Sequence, residues 1–528
     1  FAHVKDGVVA ARKNRGSYLD NGILKFEKHF DTLRLVRVNT NFYFDEESAL
    51  SRSSGANISN SVIKVFPINS MNEEEDEFLI DVSSLFVSES LTPIKPIPYP
   101  DGPPPDFVWG QLSAEKSRIL SFHNYPQNTD VEIEYVFENP PSYGYEEEDA
   151  ADPRNISISL RYSLIEMPEN DFEPRLADQR VGYFSERITD LTSVDLTPYN
   201  DLINKWDLQK KNPEEALSEP VKPITFWLEN STPKELIPYI KEGVLAWNAA
   251  FEKAGFKNAI IAKDPPSKEE DPDFSPEDIR YSTVRYVAST TRNAMGPSVS
   301  DPRTGEIIES DIVWYHNHLR SYRNRYLLET GAANPSARTL FTPEEEIGEM
   351  MRQVIAHEIG HALGLPHNMK ASAAYPTDSL RSAEFTQKYG LTPSIMDYAR
   401  VNYVAQPEDK GVRYIRMMGP YDLYAINWGY RYLPDADTPD DEKEKLDQWI
   451  LEKAGDPVYE FGGGYGGFDP QAQRESLGKD QVKASEYGLA NMKKVVPNLI
   501  EWTTKDGYAY DELEEVYGEL ISLWRGYL

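Results

Sequence analysis

The sequence predicts an α+β protein with a mainly β N-terminal domain, a central domain that combines a mixed sheet with a long helix, and a helical C-terminal extension. Apolar and β-branched residues alternate through much of the first 215 residues, a period typical of strands. Predicted strands and helices then alternate to about residue 430, and predicted helices prevail beyond it. We therefore expect domains at 1–215, 216–430 and 431–528.

Length, charge and cysteine content narrow the class of protein. With 528 residues, 40% of them hydrophobic, the chain is long enough to bury cores without cross-links. The net charge of −32 disfavours nucleic acids and anionic membrane surfaces as partners, and no apolar run approaches the ~18 residues of a membrane-spanning helix. The absence of cysteine excludes disulfides, thiolate metal sites and cysteine catalysis. Because the sequence begins at Phe1 without a signal segment, we expect a processed or trimmed form.

Loops separate the predicted strands of the N-terminal domain. These strands are 33–38, 61–66, 131–137 and 155–165. The proline-dense stretch 93–106 and the acidic stretch 145–152 are predicted to be loops. Residues 174–184, just before the central domain, carry several charges, and we interpret them as a polar linker. The alternative is a segment tied to its neighbours by charge.

The central domain opens with a predicted strand at 223–229 and a predicted helix at 232–256. Thr232 is the predicted N-cap, Pro233 the first helical residue, and Glu235 completes a capping box. Apolar residues repeat at helical spacing, and Gly255 is expected to follow the end of the helix. The apolar face consists of Ile240, Val244, Trp247 and Phe251.

Two further strands are predicted at 279–289 and 307–315, with a turn at 301–306 between them. His316 and His318 come directly after the second strand. On a strand, an H-x-H pair points both rings to one face and could hold a second metal. The more common role of such a pair is a surface position or a support for neighbouring groups, and we favour that interpretation.

The C-terminal region is predicted to be helical around one flexible loop. The glycine-rich stretch 461–470 lacks the terminal lysine of a phosphate-binding loop, so we expect a loop without that function. Residues 484–502 and 510–524 have the pattern of amphipathic helices. The first of these must bend or stop near Pro497, which cannot donate a backbone hydrogen bond.

Three of the eight histidines lie within the stretch "HEIGHALGLPH", residues 357–367, at the end of a predicted helix. Thr342 is the expected N-cap of that helix, Pro343 opens it, and Glu345 closes a capping box. His357 and His361 are four residues apart and so lie on one helical face.

Two imidazoles at this spacing can share one metal ion. Glu358 lies close enough to reach a water on that metal. Gly364 favours a sharp turn that brings His367 to the same ion. Three histidines with an open fourth position are typical of a catalytic zinc site, although they also suit other divalent ions. The alternative is that these are ordinary core or surface histidines, but with this composition the pattern arises by chance on the order of once in a hundred thousand chains.

The pattern H-E-x-x-H-x-x-G-x-x-H, followed by "PSIMDYAR" at 393–400, resembles the metzincin zinc peptidases. The resemblance implies one catalytic Zn²⁺ ion and an apolar floor beneath it, formed by Met396. It also implies that Tyr398 ligates the zinc or donates a hydrogen bond to the oxyanion. Core packing is the alternative for Met396, and Tyr398 has no such role in other branches.

Further segments resemble a group of bacterial zinc-dependent metalloproteases whose catalytic domain is flanked by domains of unknown function. They are 247–256, 293–307 and 419–431. The resemblance implies a zinc endopeptidase that hydrolyses peptides or proteins through a zinc-bound water activated by Glu358. It also implies export, to a secreted, periplasmic or cell-surface location. The alternatives are an aminopeptidase or other amide hydrolase on the same scaffold, and a zinc-holding binding module without catalysis, against which the intact Glu358 argues.

Two expectations concern the surroundings of the site. Metzincins keep a strand at the edge of the substrate cleft, and we assign residues 306–315 to that position. Without cysteine, latency through a thiolate on the zinc is excluded. An aspartate or a backbone group of the N-terminal domain could cap the cleft instead, and the sequence does not identify which residue.

Overall fold

The computed structural model describes the chain except residues 56, 75, 97–106, 143–148, 168–170, 195, 197, 465–467 and 508. Parts of the loops predicted at 93–106, 145–152 and 461–470 therefore lie outside the described residues. Helices and strands are both well represented, and the predicted α+β class is confirmed. Among the residues described, none of the helices combines the length and the apolar character that crossing a membrane requires.

Strands dominate the N-terminal half of the chain. The strands are β1 Ala2–Asp6, β2 Tyr18–Asp20, β3 Leu24–His29, β4 Thr32–Arg37, β5 Phe42–Tyr43, β6 Ser61–Pro67, β7 Ser70–Met71, β8 Phe78–Leu79, β9 Gln111–Leu112, β10 Arg118–Asn124, β11 Asn128–Glu138, β12 Asn155–Ile165, β13 Ser185–Asp190 and β14 Tyr199–Ile203. One short helix, α1 at Ser83–Phe86, accompanies them. The four predicted strands correspond to β4, β6, β11 and β12, each within a few residues, and are confirmed.

The largest N-terminal sheet has the strand order β10-β11-β12-β1-β2, with β9 also paired to β11. Its centre is the antiparallel pair β11 and β12, which stays in register from Asn128 opposite Ile165 to Glu138 opposite Asn155. Smaller sheets follow the orders β3-β4-β6 and β14-β13-β5. The inward side chains of the large sheet form a separate apolar core that includes Ile133, Tyr135 and Leu160.

A five-stranded sheet organises the middle of the chain. Its elements are β15 Ile224–Leu228, α2 Ile237–Leu245, α3 Asn248–Lys253, β16 Ile260–Lys263, β17 Ser282–Val287, β18 Ala294–Met295, β19 Ser298–Ser300, β20 Ile307–Ser310, β21 Ile312–Tyr315, α4 His318–Thr330, α5 Glu344–Ala362, α6 Ala383–Tyr389 and α7 Pro420–Tyr430. The sheet has the order β16-β15-β17-β21-β18, in which only the β18–β21 pair is antiparallel. Helix α5, which carries two of the three clustered histidines, packs against this sheet through β21 and β18.

The predicted cleft-edge strand at 306–315 is wrong. This segment is split into β20, which pairs with β19, and β21, which lies inside the five-stranded sheet. Asp311 separates the two strands because its buried carboxylate accepts hydrogen bonds from the backbone N–H of Thr283 (2.9 Å) and from its hydroxyl (2.6 Å). The edge beside the site is β18 instead, a strand too short to be recognised from its sequence pattern.

Both predicted capping boxes in this domain are wrong. The 232–256 segment forms α2 and α3, separated at Trp247, and α2 begins at Ile237 without a side-chain cap. Pro238 fits the first turn of α2 because proline needs no backbone donor there. Helix α5 begins at Glu344 rather than at Pro343, again without a side-chain cap. Three glutamates in its first turn interact favourably with the helix dipole in place of a cap. The predicted apolar face of α2 and α3 is buried, and Gly255 has the expected positive φ of 92°.

The C-terminal region consists of helices around residues 457–480. The helices are α8 Pro439–Leu451, α9 Gln481–Val495, α10 Leu499–Thr503 and α11 Asp511–Tyr527. Single 3-10 turns occur at Ala49–Ser53, Pro335–Ala337, Met369–Ala373, Thr377–Arg381, Pro457–Tyr459 and Val496–Asn498. The last of these interrupts the predicted 484–502 helix at Pro497, so the expected bend is confirmed. Helices α9 to α11 pack on α4 through a small apolar cluster.

The main hydrophobic core joins the central domain to residues that precede it. Val181, Tyr183 and Ile203 belong to the same buried cluster as Trp247 and Met396. Interpreting residues 174–184 as a polar linker was therefore wrong. The buried Arg175 guanidinium pairs with Glu442 and donates to the backbone carbonyls of residues 428 and 431. The predicted boundaries at residues 215 and 430 stay predictions, and the core crosses both of them.

Candidate metal centre

Helix α5 and the turn that follows it bring the three predicted histidine ligands together. One ligand atom from each of His357, His361 and His367 lies within 4.8 Å of the others. The Nε2 atoms of His361 and His367 are 3.1 Å apart. Within the described part of the chain, this is the one group of three or more potential metal ligands found. The histidine cluster is therefore a convergent site.

Gly364 makes the turn that delivers His367. Its φ is +96°, a left-handed conformation that side chains with a Cβ rarely adopt. A Cβ at this position would also lie 2.0 Å from the backbone oxygen of Asn204. Leu365 N–H donates to the carbonyl of Gly360 at 2.9 Å and completes the turn. Both the conformation and the lack of space therefore require glycine here.

Backbone carbonyls fix the orientation of two imidazoles. The Nδ1 atom of His357 lies 2.8 Å from the carbonyl oxygen of Ile395, and Nδ1 of His361 lies 2.7 Å from that of Leu365. Since a carbonyl oxygen only accepts hydrogen bonds, each Nδ1 carries the proton and each Nε2 presents a lone pair. This support of the remote ring nitrogen is the usual arrangement for histidine ligands of metals. The donor set fits a zinc ion.

The surroundings keep the imidazoles neutral. Burial lowers the pKa of His361 to about 4 and that of His367 to about 3. Burial is also the main cause that lowers the pKa of His357, and the neighbouring His361 and Arg416 act in the same direction. Only the neutral form of imidazole can donate its lone pair to a metal ion. The three rings are thus ready to act as ligands near neutral pH.

Glu358 lies beside the ligands, and its carboxyl is buried at the cleft surface. Burial raises the pKa of Glu358 to about 8, while Arg416 and a hydrogen bond from the Gly296 backbone N–H oppose the shift. A carboxyl group with a raised pKa is suited to taking up a proton and giving it back. Gly296 follows the edge strand β18, and a Cβ there would lie 2.3 Å from the carbonyl oxygen of Glu358. The residue that follows β18 and helix α5 are therefore in direct contact at Glu358.

Met396 lies beneath helix α5 and is fully buried. Its sulfur would be 2.3 Å from a Cβ placed on Gly360, so the helix backbone rests directly on the methionine. The Met396 carbonyl accepts a hydrogen bond at 3.0 Å from the N–H of Asn368, the residue after His367. Met396 thus packs against the ligand-bearing helix from the core side, and its role as a floor beneath a bound zinc ion stays a prediction.

Asp422, near the start of α7, holds the turn that contains Met396. Its carboxylate accepts hydrogen bonds from the Ser394 hydroxyl (2.7 Å), the Ile395 N–H (2.8 Å) and the Gly419 N–H (2.8 Å). The buried Arg416 donates to the Ile395 carbonyl at 2.9 Å, the same oxygen that His357 uses. These two side chains connect the turn to the first ligand.

Tyr398 also lies at the site. Its ring centroid is 4.3 Å from that of His367 and 5.8 Å from that of His357. The guanidinium of Arg400 lies 5.6 Å from the Tyr398 ring centroid, and its Nε donates to Glu475. The side chain lines the cleft together with the ligands. Tyr398 is therefore part of the cleft wall next to His367.

The ligands open onto a cleft of about 550 Å³. Its walls come from α5, from β18 and the residues after it, and from residues 398–416. Two aromatic residues of the N-terminal half, Tyr18 and Phe184, also line it. Among the described lining residues, Glu358 is the one carboxylate, so no aspartate of residues 1–215 caps the cleft. The expected capping aspartate is therefore not found in the described structure.

His316 and His318 do not form a second metal site. His316 is exposed in a turn, and its Nδ1 accepts a hydrogen bond from the Ser289 N–H at 3.1 Å. His318 begins helix α4 and is buried between Trp314 and Tyr322, and burial lowers its pKa to about 4. The predicted strand ends at Tyr315, so the two rings never share a strand face. His318 contributes to the cleft wall.

Several residues of the site could not be inferred from the sequence pattern. Gly296, Arg416 and Phe184 lie far from the histidine motif along the chain and carry no characteristic spacing. Asp422 had a usable signal, because it is the third residue of helix α7 after Gly419 and Pro420, where a capping box places an acceptor. That signal identifies a helix start, but it does not reveal that the same carboxylate holds the turn of Met396.

Comparisons with known proteins agree with this geometry. Residues 340–528 match the family model described as Met-zincin, and residues 16–211 match one described as a domain of unknown function (DUF5117). No curated protein and no solved structure matches the chain. The predicted resemblance to a metzincin accompanied by a domain of unknown function is confirmed. The Met-zincin match contains all three histidines, Glu358 and Met396, and supports a function of the zinc metalloprotease type.

Proposed function

We propose that this chain, whose residues 340–528 match the Met-zincin family, is a zinc-dependent endopeptidase that cleaves peptides or proteins. The observation that carries the proposal is the convergence of three imidazole rings, two of them oriented by backbone carbonyls, and the Glu358 carboxyl on one cleft. In this proposal His357, His361 and His367 hold one zinc ion. Glu358 is the catalytic base, and Tyr398 contacts the reacting carbonyl oxygen.

Each group then has a chemical task. Held by the three histidines, a zinc ion would supply Lewis-acid chemistry, which polarises a carbonyl group and lowers the pKa of a water molecule towards neutrality. Glu358 takes a proton from the attacking water and delivers it to the leaving amine, so the carboxyl returns to its starting state. The Tyr398 hydroxyl donates a hydrogen bond to the oxygen on which negative charge develops. Burial of Glu358 supports this cycle in its direction, because a desolvated carboxylate, once ionised, has a higher affinity for the proton of the attacking water than an exposed glutamate has.

The edge strand β18 offers a way to hold the substrate. Ala294 and Met295 line the cleft, and among the described strands they pair with β21 alone, in antiparallel orientation. The opposite side of such a strand can add an extended peptide through backbone hydrogen bonds. This mode of binding holds an extended peptide through its backbone hydrogen bonds, which suits cleavage within a peptide chain.

The composition of the cleft favours an endopeptidase over an aminopeptidase. An aminopeptidase needs an anionic group to hold the free α-ammonium of its substrate. Among the described lining residues, Glu358 is the one carboxylate, and it is assigned to the proton transfer. The other charged lining residues are Arg400 and Arg416. Export of the protein is part of the proposal and rests on the resemblance to exported bacterial metalloproteases.

A binding module without catalysis is the second candidate, and hydrolysis separates the two. We expect the zinc-loaded protein to cleave an unfolded protein substrate, to lose this activity with a chelator, and to regain it with added zinc. Glu358→Ala should reduce the rate by more than a thousandfold while zinc content stays near one ion per chain, since a general base and its positioned water contribute on the order of 10³-fold or more.

The matched control is Glu345→Ala on the same helix, where the side chain is exposed and distant from the cleft. This variant should retain full activity. A zinc-loaded wild type that cleaves no unfolded protein would contradict the proposal and favour the binding module. End-labelled peptides test the mode of cleavage, because an endopeptidase releases internal fragments from them.

A further inference from the structure

Two aromatic side chains from the N-terminal half of the chain line the cleft, and their positions indicate which kind of substrate side chain the cleft would bind. Tyr18 and Phe184 both line the cleft, and both belong to the segment that matches the domain of unknown function. Tyr18 lies beside the edge-strand residues, where its hydroxyl bonds to Glu309. Phe184 lies beside the histidine ligands, with its ring centroid 5.9 Å from that of His361.

The position of Phe184 is fixed by its backbone. Its N–H donates to the carbonyl of Gly364 at 2.8 Å, and its own carbonyl accepts from the Asn204 N–H at 2.8 Å. Gly364 makes the turn that delivers His367, so Phe184 is hydrogen-bonded directly to the metal-ligand turn. Its side chain is nevertheless 43% exposed and lines the cleft. An aromatic ring that projects from a fixed backbone and has an exposed face beside a metal site offers apolar surface to a ligand.

Tyr18 is held equally firmly at the edge-strand side. Its hydroxyl donates to the buried carboxylate of Glu309 at 2.8 Å. Two residues earlier, Gly16 approaches Val313 so closely that a Cβ would lie 2.4 Å from a methyl group of that side chain. The Asn21 side chain donates to the carbonyl of Ser300 at 2.8 Å. Residues 16–21 are thus bound to β19 and β20 and packed on β21, the strand that pairs with the edge strand β18.

Buried ion pairs also connect the N-terminal half of the chain to the central domain. Arg161, on β12, pairs with Glu277 at 2.9 Å, and Arg285 pairs with the same carboxylate at 3.2 Å. Arg285 also pairs with Asp311, the residue that separates β20 and β21. All four side chains are less than one-tenth exposed. Removing either half would leave buried charges without partners, which makes the contact a permanent one.

We propose that the N-terminal region of unknown function is a permanent wall of the substrate cleft, in which the Phe184 ring binds an apolar side chain of the substrate peptide beside His361. This inference rests on the proposed peptidase function and names a feature of its substrate. The peptide carries an aliphatic or aromatic residue at the position that contacts Phe184. Leucine or phenylalanine at that position binds more tightly than serine or aspartate, because the ring offers no hydrogen bond to a polar side chain.

Binding to a protein that cannot hydrolyse the peptide tests the inference independently of catalysis. In zinc-loaded Glu358→Ala, fluorescence anisotropy measures the Kd of short fluorescein-labelled peptides in which one position at a time is leucine or serine. We expect one position to favour leucine by roughly tenfold, in the range of a single apolar contact. Adding Phe184→Ala should abolish that preference, whereas Phe184→Leu should retain most of it.

The matched control is Phe122→Ala, which removes another phenylalanine of the N-terminal half, 76% exposed and outside the zinc cleft. This change should leave the leucine preference intact. Zinc content and thermal stability should be unaltered in Phe184→Ala, because the backbone hydrogen bonds do not depend on the ring. An unchanged preference in Phe184→Ala, or no leucine preference at any position, overturns the inference. If peptides bind with this preference but the wild type cleaves none, the proposed peptidase function fails, while the contact between Phe184 and an apolar peptide side chain is retained as a property of peptide binding.

Discussion

Gly364 is the residue on which the geometry of the third ligand depends. Its positive φ leaves little freedom for another residue, and a Cβ added there would lie only 2.0 Å from the Asn204 oxygen. We expect Gly364→Ala to lower the free energy of unfolding by about 2 kcal/mol or more, through both strain and steric overlap. Because the turn carries His367, the variant should also bind less zinc. Thermal unfolding and zinc content measured by mass spectrometry check both effects.

A second glycine with positive φ provides a control that distinguishes backbone strain from steric overlap of an added Cβ. Gly411 has a φ of +74°, but a Cβ there would find its nearest neighbour at 3.6 Å. Gly411→Ala should therefore cost about 1 kcal/mol and leave the zinc content unchanged. If Gly364→Ala bound zinc as well as Gly411→Ala does, the turn would not be required for His367 to act as a ligand.

Substitution of Tyr398 tests whether this residue ligates the zinc or donates a hydrogen bond to the oxyanion. Its ring packs 4.3 Å from the His367 ring, and phenylalanine preserves that contact. If the hydroxyl stabilises the oxyanion, Tyr398→Phe should lower kcat by about a hundredfold, with little change in KM or zinc content. Steady-state kinetics and metal analysis measure these quantities. Tyr432→Phe, at an exposed position outside the cleft, is the control. Loss of zinc in Tyr398→Phe would point to a ligand role instead.

The ligands could be predicted from the sequence because their geometry is local. His357, His361 and His367 are connected by one helix and one turn, so their spacing alone determines that they meet. Phe184 and Gly296 reach the same cleft through contacts between segments that are distant along the chain. Neither residue belongs to a periodic pattern. Their roles follow only from the three-dimensional arrangement.

At the scale of elements, helix α7 controls the turn beneath the metal centre. Asp422 accepts three hydrogen bonds at the N-terminus of this helix, two of them from residues 394 and 395. We expect Asp422→Ala to lower the free energy of unfolding by about 3 kcal/mol, because three buried donors lose a charged acceptor. Zinc affinity should fall as well, since the Ile395 carbonyl orients His357. Denaturant unfolding and competitive zinc titration provide the measurements.

Helix α8 supplies a matched control for this prediction. Asp441 occupies the same third position in a capping box with Thr438, but on the protein surface. Asp441→Ala should cost about 1 kcal/mol or less and leave zinc affinity unchanged. Equal zinc affinities for the Asp422 and Asp441 variants would show that the turn does not depend on α7.

The presence of strands and helices could be predicted from the sequence more reliably than the pairing of the strands or the first residues of the helices. Periodicity identified β11 and β12, whereas both helices expected to begin at a capping threonine begin later. At α5 three glutamates replace the cap, and sequence alone does not rank these alternatives. The position of β21 inside the sheet depends on pairing with β17 and β18, which lie elsewhere in the chain. Pairing between distant strands leaves no local signal.

At the scale of the whole molecule, the main hydrophobic core contains residues from both sides of the predicted boundary at residue 215. Tyr183 and Ile203 are buried with Met396, and Asn204 packs against the Gly364 turn. We therefore expect residues 216–528 alone to be insoluble or unfolded and to bind no zinc. Co-expression with residues 1–215 should restore a soluble, zinc-loaded complex. Circular dichroism and metal analysis of both preparations measure this.

If the N-terminal half were instead a detachable inhibitory domain, we would expect the opposite result. In that case residues 216–528 would fold, bind zinc and hydrolyse peptides faster than the full chain does. The buried contacts between Arg161 and Glu277 and the open cleft argue for a permanent wall. Higher activity in the shortened chain would require a different role for the N-terminal half.

The most direct test of the account is a cleavage-site profile of zinc-loaded wild type against zinc-loaded Glu358→Ala, read by mass spectrometry of new N-termini in a digest of unfolded proteins. We expect many internal cleavage sites for the wild type and none above background for the variant, although both hold one zinc ion per chain. Wild type and variant producing the same new termini, or neither producing any, would contradict the claim that Glu358 and the three histidines form a peptidase centre.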